Sequence, residues 1–431
     1  MRHLAHLVAD KKKRASLIVL IAAVAVGLQL VIMFVVIESP NTLFWSDSKE
    51  YMRIATELAR GEPYSTPGES KNIYRTPGYP FVLSLLVRAL GPNVLVLRLI
   101  HIAFFCLFLW LLYALGARFA GPTAGLIAML LGAVYPLLLY LPLALYPESL
   151  MLTLYAAIAL LILHIRERFT AVWALVLGVA IGAACLLRAT AVIWIPTALF
   201  YVLWKAKRRL RDVVILSAAV VVIPLIAIAS WMIRNHAVHG MYVFSTAASS
   251  NLLSSYNERA TGIRPADERA GLPEEITQEL DQAQNEAEIE RIKMRAVRRF
   301  IVNNPWRAFK TACMQCVDTW SPIPRTMTQG GMADVKFKLI NAFTYGPLLL
   351  LGLVGCLLSW KHLLTKSIVI LCALNTVANG IAGMSIRYRA VTDFGFLLLA
   401  AYAIDRLLSR FTSAREGDRG SADLQQHGRG G

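Results

Sequence analysis

The first candidates for chemistry in this sequence are an acidic residue and an arginine that share one polar segment. Asp47 follows the first long apolar stretch, and the phrase Tyr74-Arg75-Thr76-Pro77-Gly78-Tyr79-Pro80 follows it in the same segment. A second carboxylate, Glu148, comes directly after Pro147 at the start of a later apolar stretch. A carboxylate can accept a proton, and an arginine can hold phosphate oxygens through two N–H groups. An enzyme that acts on lipid-linked substrates would need this combination just outside a membrane.

Each carboxylate also has a structural explanation. Asp47 opens a helical pattern and is followed three residues later by Glu50, which is the arrangement of a capping box at a helix start. Capping and proton acceptance are compatible roles. Glu148 follows Pro147 in the first turn of a predicted helix, where the helix dipole favours an acid, and its alternative role is to bind substrate.

Composition places the chain among the polytopic membrane proteins. Of the 431 residues, 57% are hydrophobic and 16% are charged, and the mean hydropathy is +0.54, which excludes a soluble globule. About ten apolar stretches are long enough to cross roughly 30 Å of hydrocarbon as helices. They are 17–37, 94–119, 124–145, 149–165, 171–187, 189–204, 213–232, 342–360, 367–384 and 390–408, whereas 81–90 is too short to span. The sequence therefore predicts an all-α protein of about ten transmembrane helices.

Lysine and arginine in the short loops predict the orientation, because such residues stay in the cytoplasm during insertion. With the N-terminus inside, every inner segment is basic, so both termini are predicted to be cytoplasmic. Residues 1–233 then form the first part of the membrane core, with a first outer loop over 38–93 that contains interfacial helices. Residues 234–338 form a large, mostly helical outer loop, 339–410 the second part of the core, and 411–431 a disordered cytoplasmic tail rich in Gly, Arg and Asp.

Two arginines near the end of the chain stand where membrane insertion disfavours them. The run Arg387-Tyr388-Arg389 lies in a short outer turn before the last span, although such turns are usually poor in arginine. A charge at this depth is a functional candidate, so we expect phosphate binding or contact with lipid head groups. We expect Arg387 to face the site, since it is nearer to the preceding span. Arg75 could bind phosphate or hold its own Pro-Gly turn, whereas Arg188 and Arg234 are expected to extend toward head groups.

Other classes of site find little support. The net charge of +17 is concentrated in inner loops and in the large outer loop, without a basic stripe interleaved with stacking aromatic residues, so nucleic acid is not an expected partner. No spaced cluster of His and Asp indicates a metal, and we expect neither a metal nor a cofactor. Cys313 and Cys316 form a C-x-x-C in the large outer loop, where a disulfide is possible and a metal site is disfavoured because a second ligand pair is missing.

A series of different short motifs extends along nearly the whole chain. Their order, and their positions relative to the spans, are hard to explain by chance. The motifs are Trp45-Ser46-Asp47-Ser48, Arg75-Thr76-Pro77-Gly78-Tyr79-Pro80, Tyr135-Pro136, Tyr146-Pro147-Glu148-Ser149, Leu187-Arg188-Ala189-Thr190-Ala191, Trp231-Met232-Ile233-Arg234-Asn235-His236, Ser245-Thr246, Asn251-Leu252, Asn304-Pro305-Trp306 and Arg387-Tyr388-Arg389. The series resembles the bacterial GT-C glycosyltransferases of the family 39 kind, which are relatives of protein O-mannosyltransferases and of the aminoarabinose transferase of lipid A. Where such proteins often have Arg-Pro and Pro-Trp, this chain has Arg188-Ala189 and Ser230-Trp231.

The resemblance implies a GT-C fold in a bacterial inner membrane and an inverting transfer of a sugar from a polyprenyl-phosphate donor on the extracytoplasmic side. It leaves open whether the acceptor is a lipid, a glycan or a protein. Asp47 is then the leading candidate base, and Glu148 a second carboxylate for the acceptor or the sugar. The expected substrate-binding residues are Tyr74, Arg75, Tyr79, Arg387, Tyr388 and Arg389. Besides the donor, the surrounding membrane lipids are expected partners of the protein.

Two other functional classes are compatible with the same residues. A flippase or transporter for polyprenyl lipids would bind the phosphate without chemistry, but the sequence contains no inverted repeat and its polar residues gather on one side. A structural membrane subunit would not need Asp47 and Glu148 together. For a transferase, we expect Asp47, Arg75, Glu148 and Arg387 to converge, although they come from distant parts of the chain.

Overall fold

Helices dominate the fold. The computed structural model describes residues 10–36, 41–43, 46–64, 73–205, 208–258, 272–323, 332–382 and 386–427, and these ranges contain no β-strand. The helices are α1 (Lys11–Val31), α2 (Ser46–Ala59), α3 (Gly78–Leu90), α4 (Val94–Ala120), α5 (Pro122–Val134), α6 (Pro136–Leu143), α7 (Glu148–Glu167), α8 (Ala171–Leu187), α9 (Trp194–Leu203), α10 (Leu210–His239), α11 (Ala247–Ser255), α12 (Glu274–Gln282), α13 (Glu286–Asn303), α14 (Pro305–Trp320), α15 (Met332–Leu358), α16 (Leu363–Ala382) and α17 (Ile386–His427). The predicted all-α class is confirmed.

The number of spans differs from the prediction of about ten. Within the described ranges, six helices are long and apolar enough to cross a membrane, or seven if one bent pair counts as a single span. The bent pair is α5 and α6, which meet at 60° where one continuous span over 124–145 was predicted. Pro136 explains the bend, because proline lacks an N–H and restricts the preceding residue, and Tyr135 is accordingly extended. Two more predicted spans are short apolar helices over Ala171–Leu187 and Ala189–Leu203.

The polar segment after α1 contains the predicted helix, which is α2. In α2, Tyr51, Ile54 and Ala55 are buried together on one face, and Gly61 lies beyond the helix end with a positive φ of 85°. The helix begins at Ser46, so Asp47 lies within its first turn. The expectation that Asp47 is the N-cap is therefore wrong, and its carboxylate is available for contacts with other segments.

The described residues of 234–338, the range predicted as a large outer loop, are mostly helical, but in more pieces than predicted. The single charged helix expected near 273–303 is divided into α12 and α13, and Pro305 begins α14 as expected. A small apolar cluster that includes Leu253, Val297 and Phe300 packs α11 and α13 against each other. Cys313 and Cys316 lie one turn apart in α14 as free thiols.

The C-terminal segment also departs from the prediction. Helix α17 begins at Ile386 and continues to His427, through most of the range for which disorder was expected. Because a helix that is already formed adds residues at little cost, the buried part of α17 can propagate into its polar continuation. The remaining residues, 428–431, lie outside the described ranges, as does Trp45 of the motif series.

A close approach between α8 and α10 holds part of the membrane core. A Cβ atom at Gly178 would collide with the backbone carbonyl of Ala219, whereas nothing lies within 4 Å of such an atom at Gly27 in α1. Small residues at such crossings allow two helix backbones to touch.

We therefore expect Gly178→Ala to destabilise the protein by about 1–3 kcal/mol, because α10 must move to admit the methyl group. The matched variant Gly27→Ala adds the same methyl group in open space and should leave stability unchanged or slightly higher. Thermal unfolding of both variants in one detergent checks this. An equal melting temperature for the two would show that the crossing is loosely packed.

Candidate active site

Five segments that are distant in sequence meet at one cluster of charges. Asp47 comes from α2, Arg75 from the loop before α3, Glu148 from the start of α7, Arg188 from the end of α8 and Arg387 from the start of α17. The expected convergence of Asp47, Arg75, Glu148 and Arg387 is therefore observed. Arg188 joins them, although the sequence favoured contact with head groups for that residue.

Asp47 is held by two arginines. Its Oδ1 accepts a hydrogen bond from Nη2 of Arg75 at 2.7 Å, and its Oδ2 accepts one from Nη2 of Arg387 at 2.7 Å. Burial alone would raise the pKa of the Asp47 carboxyl, but the guanidinium groups of Arg387 and Arg75 outweigh it and hold that pKa below its usual range. Asp47 is thus an ionised carboxylate, and a weak proton acceptor while both arginines hold it.

The loop that carries Arg75 is fixed by hydrogen bonds to its backbone. The Tyr64 hydroxyl donates to the carbonyl of Arg75 at 3.1 Å, and the Ser245 hydroxyl donates to the carbonyl of Tyr74 at 2.6 Å. The Thr76 hydroxyl donates to the carbonyl of Leu187 at 2.7 Å. The loop is therefore joined both to the large outer segment and to the end of α8, one residue before Arg188.

Gly78 lets the loop lie against α8. A Cβ atom there would be 2.6 Å from the carbonyl carbon of Leu186 and 2.7 Å from the nitrogen of Leu187, closer than atoms can approach. The Pro-Gly turn of the motif therefore has a steric basis, and it brings the loop that carries Arg75 against the end of α8, where Arg188 follows.

The side chain of Arg75 lies between two tyrosines. Its guanidinium carbon is 4.9 Å from the ring centre of Tyr51 and 4.8 Å from that of Tyr74. Its Nε donates to Glu50 at 2.7 Å while Nη2 reaches Asp47. Stacking on aromatic faces orients a guanidinium and keeps its edge free for anions.

Glu148 and Arg188 form a second ion pair in the same cluster. Nη1 of Arg188 donates to Oε1 of Glu148 at 2.7 Å, and Glu148 is only 1% exposed. Its other oxygen, Oε2, is buried and has no hydrogen-bond partner among the described residues. Such an unpaired carboxylate oxygen is costly unless something else completes it.

The sequence did not predict Arg188 as a site residue, because an arginine at the outer end of a span usually extends to the head groups. In the structure, Arg188 is extended after α8 ends, and its guanidinium lies 4.0 Å over the ring of Tyr388. The signal that could have found it was the motif Leu187-Arg188-Ala189-Thr190-Ala191, which belongs to the resemblance.

Arg387 and Arg389 diverge from one another. Arg387 contacts Asp47 and stacks at 4.3 Å on Tyr146, and the carboxylates of Glu148 and Asp47 both stabilise its charge. Arg389 is fully buried and contacts Asp393 at 3.2 Å, and it donates hydrogen bonds to the Tyr135 hydroxyl and to the carbonyl of Thr319. The structure thus places Arg389 in a second cluster, inside the helix bundle.

Tyr79 also points away from the charges. Its hydroxyl donates to the carbonyl of Leu145 at 2.6 Å, and its ring meets that of Tyr51 edge to face at 4.8 Å. Of the predicted binding residues, Tyr74, Arg75, Arg387 and Tyr388 therefore surround the carboxylates, while Tyr79 and Arg389 contact the protein interior.

The cluster is balanced in charge. Three guanidinium groups, those of Arg75, Arg188 and Arg387, face three carboxylates, those of Asp47, Glu50 and Glu148. Within the described part of the chain, no three side chains of His, Cys, Asp or Glu form a group that could hold a metal ion. The side chains that meet in the cluster are carboxylates, arginines and tyrosines.

Comparison with known proteins adds the following. Residues 74–233 match the profile of the family described as dolichyl-phosphate-mannose-protein mannosyltransferase. The fold is similar to that of the oligosaccharyltransferase AglB from Archaeoglobus fulgidus in complex with an inhibitory peptide and a dolichol-phosphate, with a TM-score of 0.55, 13% identity and coverage of 94% of this chain. The structure of the Archaeoglobus fulgidus oligosaccharyltransferase with Zn and sulfate gives a TM-score of 0.56 at 13% identity over 92% of this chain.

This chain spans 52% and 49% of those two structures, about half of their length. ArnT from Cupriavidus metallidurans bound to undecaprenyl phosphate is a weaker match, with a TM-score of 0.42 and 12% identity over 90% of this chain and 77% of that chain. No curated protein sequence matches the chain. The family match over residues 74–233 agrees with the resemblance inferred from the motifs. The shared fold and the apolar helices agree with a helical protein that crosses a membrane several times.

The lowered pKa of Asp47 predicts how stability depends on pH. An aspartate in an unfolded chain has a pKa of about 3.9, and the folded-state pKa of Asp47 is lower. The stabilisation from its ion pairs is therefore complete above about pH 4 and is lost as the pH falls through the folded-state pKa. Asp47→Asn should be less stable than the wild type near neutral pH, and the difference should shrink on acidification below about pH 4. Thermal unfolding across that range tests this, and a difference independent of pH would contradict it.

Proposed function

We propose that the protein is a glycosyltransferase that moves a sugar from a polyprenyl-phosphate donor to a hydroxyl acceptor at the extracytoplasmic face of a bacterial inner membrane. The observation that carries the proposal is the Asp47 carboxylate held at 2.7 Å by both Arg75 and Arg387. The family match over residues 74–233 and the shared fold with a structure that contains a dolichol-phosphate support it.

The reaction is a single displacement. The acceptor oxygen attacks the anomeric carbon of the sugar, the bond from that carbon to the phosphate oxygen breaks, and the configuration at the carbon inverts. The proton of the acceptor hydroxyl goes to Asp47. The polyprenyl phosphate leaves with the bonding electron pair.

The arginines suit the movement of charge in this reaction. The donor phosphodiester carries one negative charge and the released phosphate carries two, while Asp47 loses its charge on protonation. Arg75 and Arg387 hold Asp47 in the structure. As negative charge moves to the phosphate, their N–H groups can turn from Asp47 toward the phosphate oxygens. Fixed cations at the place where charge develops stabilise the transition state, and arginine can bind phosphate through two N–H groups at once.

Donor binding would also activate the base. Asp47 is a weak proton acceptor because two guanidinium groups lower its pKa. If the donor phosphate takes over bonds from Arg387, the carboxylate loses part of this stabilisation and its pKa rises toward the ordinary range. The base then becomes effective only when the donor is in place.

Glu148 is the second polar group available to the substrates. Arg188 occupies Oε1, and Oε2 is without a partner among the described residues. A hydroxyl of the sugar or of the acceptor could donate to Oε2, which would orient the substrate and complete a buried carboxylate. Arg188 in turn fixes the position of Glu148 through their ion pair and adds a third cation near the phosphate.

The transfer itself is tested by product analysis. The purified protein is incubated with candidate polyprenyl-phosphate sugars and acceptors, and mass spectrometry identifies the product. We expect Asp47→Asn to lower turnover by roughly 10²–10⁴-fold, the usual contribution of a general base. The matched variant Glu57→Gln changes a carboxylate on the exposed side of the same helix, where it pairs with Arg53, and should keep full activity. Transfer by Asp47→Asn at the wild-type rate would exclude Asp47 as the base, and binding without any transfer would favour a flippase or transporter.

The role of Arg387 is tested by binding of a polyprenyl phosphate that lacks the sugar. Lysine keeps the charge of Arg387 but loses the two-point grip on phosphate and the stacking on Tyr146. We expect Arg387→Lys to weaken binding by about tenfold, and Arg387→Ala to weaken it further. The control is Arg53→Lys on the exposed side of α2, which should bind as the wild type does. Equal affinity for all four proteins would remove Arg387 from the phosphate site.

A further inference from the structure

The short turn between α6 and α7 is held by side chains from three other helices. Three consecutive carbonyls of this turn, which comprises residues 143–146, each accept a hydrogen bond. Nε of Arg98 donates to Leu143 at 2.8 Å, the Ser48 hydroxyl donates to Ala144 at 2.5 Å, and the Tyr79 hydroxyl donates to Leu145 at 2.6 Å. All three donors are at most 1% exposed.

The middle of the turn is strained. Leu145 has a φ of 52°, in the left-handed region that side chains other than glycine rarely adopt. Its side chain is buried in the main apolar core, so the residue cannot relax without moving packed neighbours. A residue persists in this conformation only where its surroundings hold it there, and the hydrogen bond from Tyr79 acts on this same residue.

The turn determines where two parts of the charged cluster lie. Tyr146, the next residue, carries the ring on which Arg387 stacks at 4.3 Å. Glu148 follows two residues later and pairs with Arg188 at 2.7 Å. A change in the backbone at Leu145 would therefore move both the support of Arg387 and the carboxylate of Glu148.

The donors also link the turn to the other side of the cluster. Ser48 is adjacent to Asp47 in α2, and Tyr79 lies four residues after Arg75. The hydroxyl of Tyr79 also lies within hydrogen-bond distance of Nε2 of His101, at 3.0 Å. The other ring nitrogen of His101, Nδ1, lies 2.7 Å from the carbonyl oxygen of Leu97. The turn is thus a junction between the segment with Asp47 and Arg75 and the segment with Glu148.

We propose that Tyr79 is a positioning residue: its hydroxyl holds Leu145 in the left-handed conformation and thereby keeps Tyr146 and Glu148 directed at the Asp47 cluster. The proposal rests on the transferase function proposed above for its effect on the rate. It assigns Tyr79 a role different from the substrate contact predicted from sequence, because the hydroxyl that would touch a substrate is engaged with the protein backbone.

Tyr79→Phe is the variant that tests the hydrogen bond with the least change to its surroundings. It removes one oxygen and keeps the ring that packs on Tyr51, whereas changing Arg98 would remove a buried charge and Ser48 adjoins the proposed base. The matched control is Tyr155→Phe. Tyr155 is also fully buried and packs edge to face on Trp194 at 5.2 Å, but its hydroxyl has no hydrogen-bond partner among the described residues.

The experiment compares wild type, Tyr79→Phe and Tyr155→Phe in the full-length protein. Amide hydrogen exchange over residues 144–148 reports on the turn, and kcat and the donor KM report on the reaction. For Tyr79→Phe we expect exchange in the turn to rise on the order of tenfold, the effect of losing one buried hydrogen bond. We expect kcat to fall at least about tenfold. Affinity for sugarless polyprenyl phosphate should fall by less than about tenfold, because Tyr146 shifts under Arg387 while the guanidinium charge stays in place. Tyr155→Phe should match the wild type in every measurement.

Unchanged exchange in the turn of Tyr79→Phe would overturn the proposal, whatever the rate. Faster exchange with an unchanged kcat would overturn it too, because the turn would then position nothing that matters to the reaction. Loss of lipid phosphate binding together with a general fall in protection would show a merely structural residue. If the wild type transfers no sugar, the proposed function fails by itself, and the exchange comparison still decides whether Tyr79 holds the turn.

Discussion

The structure of the site depends on the sharing of one carboxylate between two arginines. Asp47 joins Arg75, from the same outer segment, to Arg387, which lies 340 residues away at the start of α17. Removing charges from water is costly, and it is repaid only when partners lie within hydrogen-bond distance. The surroundings therefore have to place three separate segments within a few tenths of an ångström. The hydrogen bonds around Arg75, the close contact of Gly78 with α8 and the turn before Glu148 all serve this requirement.

Much of the fold could be predicted from the sequence, because helix formation and membrane insertion depend on residues that are close together along the chain. Apolar length and the helical period identify membrane helices, and they identified the surface helix α2 with its stop near Gly61. The break between α5 and α6 was not predicted. A hydropathy average over about 20 residues does not register a single proline, so the bend was overlooked although Pro136 lies at it.

The site could be predicted only in part, since residue types and order along the chain suggest which groups meet but not which way they point. Asp47, Arg75, Glu148 and Arg387 were expected to meet, and they do. Arg188 was missed because the same residue at the end of a span serves either a head group or a partner, depending on tertiary packing. Arg387 and Arg389 show the same limit, because only the three-dimensional fold directs one of them to Asp47 and the other to Asp393.

Exposure distinguishes the ion pairs that can serve a ligand from those that only hold the fold. The side chains of Arg389 and Asp393 are both 0% exposed, and Arg389 also lies 3.4 Å over the ring of Tyr345. Nothing can replace a partner there without opening the helix bundle. The side chains of Arg75 and Arg387 are 14% and 26% exposed, so the proposed function can draw on them: a donor phosphate would reach both guanidinium groups without opening the helix bundle. Arg387 and Arg389, only two residues apart, thus form ion pairs of different kinds. The pair of Arg389 is sealed inside the packing, and the pair of Arg387 stays partly exposed, as the proposed function requires.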